Sequence, residues 1–163
     1  MSSIQPEKIE ADLRRKVERL IEGQGLGVLA TAGVDGHPYA SLIAFAGNSA
    51  KTELYFVTPR ATRKFANLTH DPRVALLVNN STNQPVDFHE AVAATVLGNA
   101  RLLDDESRAR FLDVYLAKHP YLKKFATSPS CAMFAIEITG ITMVQKFQSV
   151  SELEPDHDLD THR

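Results

Sequence analysis

The sequence predicts a mainly β (α+β) domain built on an antiparallel barrel of six or seven strands with flanking helices. Three observations carry that reading. Apolar runs of strand length recur along the chain. Short links join them, including the Asp-Gly signature of a hairpin at Val34-Asp35-Gly36-His37. Helical periodicity is confined to the start and two connections, unlike the regular alternation of a doubly wound parallel sheet.

The elements follow in order. Ile9, Leu13, Val17, Leu20 and Ile21 recur at helical spacing, so Pro6 to Glu22 reads as an amphipathic helix, with Gly23 near its end. Gly25 to Thr31 and Pro38 to Ala46 read as the two strands of the hairpin. Glu53 to Thr58 is a third strand, Thr62 to Thr69 a short helix, and Arg73 to Val78 a buried strand after the Asp71-Pro72 break. Asn79 to His89 is a polar loop. Ala91 to Leu103 is a long strand with Gly98 as its bend or bulge. Asp104 caps the next helix, whose apolar face is Phe111, Leu112, Tyr115 and Leu116. Tyr121 to Phe125 adds a helical turn. Ser130 to Glu137 and Ile141 to Phe147 are the last strands, on either side of Gly140. Residues 1–150 form one domain, and 151–163 read as a flexible acidic tail.

Composition narrows the function. The 163 residues are 44% hydrophobic and 23% charged, as expected of one globular domain. A formal net charge of -2 argues against a general nucleic-acid binder. The single cysteine, Cys131, rules out an intrachain disulfide. The six histidines show no metal-ligand spacing, so no metal site is expected. Met1 to Glu10 has no apolar signal core, and no stretch is long enough to span a bilayer, so a cytoplasmic protein is expected.

The segment richest in chemistry is Thr58-Pro59-Arg60-Ala61-Thr62-Arg63-Lys64. A strand ends, the chain turns, and three cations and two hydroxyls gather at a helix start. Unpaired N–H groups and the positive end of the helix dipole favour a bound phosphate there. Arg suits bidentate phosphate contacts, Lys adds a point charge and Thr a neutral hydrogen bond. Solvated charges on an exposed helix are the alternative. Two further blocks flank this segment: Gly36-His37-Pro38-Tyr39-Ala40-Ser41-Leu42-Ile43, and Asp71-Pro72-Arg73 with the apolar run Val74 to Val78.

In order and content, these three blocks resemble the pyridoxamine-phosphate-oxidase-like FMN-binding split-barrel superfamily. The resemblance covers Leu26 to Leu103 with good motif agreement. It implies a split barrel and a homodimer with two FMN sites at the interface. Carried over by motif, Arg63 and Lys64 hold the FMN phosphate with help from Thr62. Val57 and Thr58 lie along the flavin. Ser41 and Leu42 meet the ribityl chain or ring. The loop Asn79 to His89 and the strand Ala91 to Arg101 are expected at the dimer interface. The C-terminal third is similar, more loosely, to the general or haem-utilisation branches. That likeness brings Phe147 and Gln148 toward the partner's flavin; a strand end packed on the core is the other reading.

Departures from the family pattern bear on substrate. Pyridoxamine phosphate oxidases carry Arg at the position of Ser41 and Lys at that of Ala46. Their usual glutamine before Gly98 is replaced by the small Ala93 and Ala94, and the chain has no Trp. The resemblance therefore implies an FMN-dependent oxidoreductase acting on some small molecule other than pyridoxamine phosphate. A non-catalytic flavin-binding or sensor protein, and a haem-binding or haem-utilisation protein, are the alternatives.

Overall fold

In the computed structural model, which describes residues 6–155, the chain begins with α1 (Pro6–Gly23) and three strands, β1 (Leu26–Ala32), β2 (Pro38–Gly47) and β3 (Glu53–Pro59). Then come α2 (Arg63–His70), β4 (Arg73–Asn79), α3 (Asp87–Glu90) and β5 (Val92–Leu102). The C-terminal part holds α4 (Asp105–Lys118), a 3-10 turn (Pro120–Leu122), α5 (Lys123–Ala126), β6 (Cys131–Gln145) and β7 (Ser149–Leu153). All strand pairings are antiparallel, in the order β3-β2-β1-β4-β5-β6-β7. A further β3–β6 pairing closes six strands into a barrel and leaves β7 as an outer strand. The expected mainly β barrel with flanking helices is thus observed.

Apart from the short helix α3, which starts inside the expected loop Asn79 to His89, two details differ from the sequence reading. The apolar stretches on either side of Gly140 are one strand, β6, because β5 pairs with it on both sides of that glycine, from Phe134 to Gln145. Gly140 marks where β6 exchanges its other neighbour, from β3 to β7. The chain from Ser151 was expected to be loose, yet Ser151 to Leu153 belong to β7 and Leu153 is buried in the barrel core. One apolar residue at the right register is enough to hold a short edge strand. The remainder of the expected tail, 156–163, lies outside the described residues.

Inward-facing residues such as Leu29, Phe45, Phe56, Leu76 and Ile136 fill the barrel. Val17, Leu20 and Ile21 of α1 close one end, and Leu68 of α2 closes the other. A second core lies outside the barrel, where Tyr115 of α4 and Ala126 of α5 cover Tyr55, Val57 and Met133. Cys131 is buried there as a free thiol. The bulge expected at Gly98 is present as a register shift between Leu97 and Gly98 against β6. A Cβ on Gly98 would stand 2.4 Å from the Glu137 carbonyl oxygen, so only glycine allows this approach.

The closure between β2 and β3 is short. Only Phe45 to Gly47 pair with β3, at Leu54 to Phe56. Below Phe45, β2 pairs with β1 alone, and beyond Phe56, β3 pairs with β6 alone. The barrel is therefore split along one seam, and α2 starts at its open end.

Candidate functional site

The seam leaves strand edges exposed. Phe45 donates its N–H to Gly25 on the β1 side. By the two-residue alternation of a strand, Leu42 and Ala44 direct their backbone groups toward the seam. A planar or chain-like ligand entering the seam would meet those groups on β2 and the end of β3 opposite.

At the head of the seam stands the start of α2. Thr62 is its N-cap, with extended backbone, and its Oγ1 accepts from the Phe65 N–H at 3.2 Å. The Thr58 and Thr62 hydroxyls are 3.0 Å apart, and Lys64 Nζ donates to Thr58 Oγ1 at 3.4 Å. Thr58 is wholly buried. Arg63 lies over the Tyr39 ring at 5.2 Å, and Arg60 over Phe65 at 5.9 Å. The structure thus gathers Thr58, Thr62, Arg63 and Lys64, with Tyr39 as a member that sequence reasoning left as an ordinary strand residue. The block that holds Tyr39 was its only signal.

The electrostatics of this cluster run against the helix. The first turn of α2 holds no acidic residue and carries Arg63 and Lys64 instead. Each such cation disfavours the helix by roughly 0.3–1 kcal/mol through the macrodipole. Burial lowers the Lys64 amine below its ordinary value. Neither Arg63 nor Lys64 ion-pairs with a carboxylate among the described residues. Asp35 lies within Coulombic influence of Arg63, but its carboxylate is held chiefly by the His37 N–H, which lowers its pKa. A bound dianion would relieve every one of these penalties together.

The remaining predicted residues are placed as follows. Ser41 faces the barrel interior beside Leu29, and its Oγ is buried without a hydrogen-bond partner. It is one of two such side-chain atoms among the described residues, so it suits a ligand hydroxyl or phosphate. Leu42 points the other way and is 61% exposed. Val57 has its side chain packed in the outer core, leaving its backbone for the seam. Phe147 and Gln148 are not in this cluster. They occupy the β6–β7 turn, where Phe147 packs edge-on against Phe88 at 5.5 Å. Phe88 was missed, because a lone aromatic in a polar loop carries no sequence signal.

A second surface adjoins the seam. Register places Leu42, Val28 and Leu77 side by side on the outer face of β2, β1 and β4, and Leu97 of β5 follows across Ala75. Leu42, Leu97 and Leu77 are 61%, 47% and 39% exposed. A contiguous apolar sheet face of this kind marks an interaction surface.

Among the described residues, no group of three or more His, Cys, Asp or Glu side chains converges as a metal site. No described helix is long and apolar enough to cross a membrane.

Comparison with known proteins agrees with this picture. Residues 13–145 match the family profile described as Pyridoxamine 5'-phosphate oxidase. No curated protein sequence matches the chain. Among solved structures, a heme binding protein from Mycobacterium smegmatis superposes with a TM-score of 0.75 at 17% identity, over 94% of this chain and 60% of that one. Campylobacter jejuni ChuZ gives 0.76 at 12% identity, over 88% of this chain and 60% of that one. General Stress Protein 26 from Bacillus anthracis gives 0.65 at 22% identity, over 87% and 98%. The chain thus spans about three fifths of the first two proteins. At these identities the likeness is one of fold.

Proposed function

The chain belongs to the pyridoxamine 5'-phosphate oxidase family, and we propose that it is an FMN-binding flavoprotein working as an FMN-dependent oxidoreductase. The observation that carries this reading is the start of α2, where two cations sit against the helix dipole without carboxylate partners among the described residues. Arg63 and Lys64 would take the FMN phosphate, with Thr62 and the α2 N–H groups completing its shell. Ser41 Oγ and the unpaired edge of β2 would meet the ribityl chain and ring, and the backbone of Val57 and Thr58 would line the other side of the seam.

Bound flavin would supply the hydride and electron chemistry. The chain's own part is to bind the cofactor, orient it and shape access to it; no side chain is assigned an acid or base role. Small residues at Ser41 and Ala46 leave a pyridoxamine phosphate substrate without its cationic holders, so another small molecule is the substrate.

The apolar face centred on Val28, Leu42, Leu77 and Leu97 supports a homodimer. It takes in Leu97 of β5 and extends to β1, β2 and β4. The adjacent Phe147 and Gln148 would then approach the partner's cofactor.

Titration of FMN into the purified protein tests the reading. Saturable uptake with a shifted flavin spectrum is expected, and a chain that takes up no FMN sinks it. Anaerobic mixing with a panel of nicotinamide donors then separates enzyme from carrier: rapid, saturable reduction marks an oxidoreductase, and none across the panel marks a binding or sensor protein. Haem binding is the second reading, favoured by the fold likeness to a heme binding protein. A Soret band on haem titration would support it. His119 is a poor axial ligand, since its Nε2 is held at 2.7 Å by the Phe45 carbonyl.

A further inference from the structure

A cavity of about 390 Å³ lies at the barrel end away from the seam, between α1, α3 and the turn after β6. Its floor is apolar, made by Leu20, Ala91 and Val92. Its walls are basic. Lys16 and Arg19 stand one helical turn apart on α1, Lys146 comes from the turn after β6, and His89 comes from α3. The one carboxylate on the wall is Glu90. None of Lys16, Arg19 and Lys146 ion-pairs with a carboxylate among the described residues, although the whole chain carries a formal charge of -2. Lys16 Nζ is held at 2.6 Å by Gln145 Oε1, which fixes one cation at the cavity rim.

The turn that delivers Lys146 is itself unusual. Lys146 and Phe147 adopt φ of 49° and 65°, a left-handed conformation that is costly for bulky residues. Two elements distant in sequence therefore bring the three cations Lys16, Arg19 and Lys146 to one apolar-floored cavity.

We propose that this cavity is a second ligand site, separate from the α2 site, for a small organic anion with a phosphate or carboxylate head and an apolar body. The head would meet Lys16, Arg19 and Lys146 by charge-assisted hydrogen bonds, and the body would lie on Leu20, Ala91 and Val92. The proposal is independent of the FMN reading, since the two sites share no residue.

Calorimetric titration tests it with three probes: phenyl phosphate, benzoate and inorganic phosphate. Each is added to the wild-type chain, to Arg19→Glu, to Lys146→Gln and to Arg63→Ala. One binding event of phenyl phosphate or benzoate is expected to keep its wild-type affinity in Arg63→Ala, whatever that variant does to phosphate at α2, and to weaken at least about tenfold in Arg19→Glu and Lys146→Gln. The probe that binds more tightly identifies the head group. Inorganic phosphate, lacking the apolar body, is expected to bind more weakly than phenyl phosphate. Arg19 and Lys146 are both exposed and on different elements, so failure of one variant to fold leaves the other. Loss of binding in Arg63→Ala alone would move the anion to α2 and overturn the proposal. Equal binding to all four proteins, or no saturable binding of either organic probe to wild type, would also overturn it.

Discussion

Replacing Arg63 by Ala separates a phosphate handle from a structural cation, because the two roles have different magnitudes. Arg63 is exposed, and its visible contact is the Tyr39 ring at 5.2 Å. At an exposed site that contact stabilises the fold by about 0.5–1 kcal/mol. Removing a cation from the first turn of α2 returns roughly 0.3–1 kcal/mol through the dipole. The two nearly offset, so the apparent Tm should move by no more than about 2–4 °C. A hydrogen bond from Arg63 to a phosphate contributes about 1.5–3 kcal/mol, which is about 10- to 150-fold in Kd. Flavin fluorescence quenching reads this directly, with FMN and riboflavin each titrated into wild type and Arg63→Ala. Riboflavin has the same ring and ribityl chain without the phosphate. FMN should weaken by the stated factor while riboflavin stays within about twofold. Equal weakening of both ligands would show that Arg63 acts on the ring or through the fold. Unchanged FMN affinity would refute the phosphate assignment.

Four other outcomes follow from the same structure. Gly98→Ala forces a Cβ to within 2.4 Å of the Glu137 carbonyl oxygen, so thermal or urea unfolding should show a loss of about 1–3 kcal/mol; an unchanged midpoint would mean the bulge relaxes freely. Tyr115→Phe removes a hydroxyl that is buried and unpaired, so stability should hold or rise by about 1 kcal/mol, and a clear loss would reveal a hidden partner. Burial, aided by Lys51, lowers the Lys118 amine to about 8 from the ordinary 10.5, even though its Nζ donates to the Ile21 carbonyl at 2.6 Å. The unfolded chain then holds more protons between those two values, so wild-type stability should rise with pH across that window relative to Lys118→Met; parallel pH profiles would exclude the shift. Leu77→Glu puts a charge at the middle of the apolar face, so light scattering should fall from twice 18.0 kDa in wild type to 18.0 kDa in the variant; a wild-type monomer would remove the dimer.

The barrel was legible because its causes are local. Apolar strands of period two, the Asp35-Gly36 turn with Gly36 at φ 78° and the Thr62 cap each follow from side-chain and backbone preferences within a few residues. The C-terminus was misread for a related reason. Whether Gly140 breaks a strand, and whether Ser149–Leu153 forms one, depends on which neighbours β5 and β6 offer. No local signal reports a neighbour contributed by distant sequence.

The segment proposed to bind phosphate shows the same division. Its residue types and their order were enough to single out Thr62, Arg63 and Lys64 as candidates for an anion handle, since capping and charge are properties of adjacent residues. The partners were not: the Thr58 hydroxyl under Lys64, Tyr39 beneath Arg63, the buried Ser41 Oγ and the seam along β2 arise only when the barrel closes. Lys16, Arg19 and Lys146 are more extreme, with 126 positions between the second and third. By itself the sequence determined the strands up to β5, the hairpin turn at Asp35-Gly36 and the cation-rich helix start, because short-range sterics and electrostatics act along the chain. Tertiary structure alone decided which distant groups share a cavity, because burial and Coulomb interactions depend on distance in space.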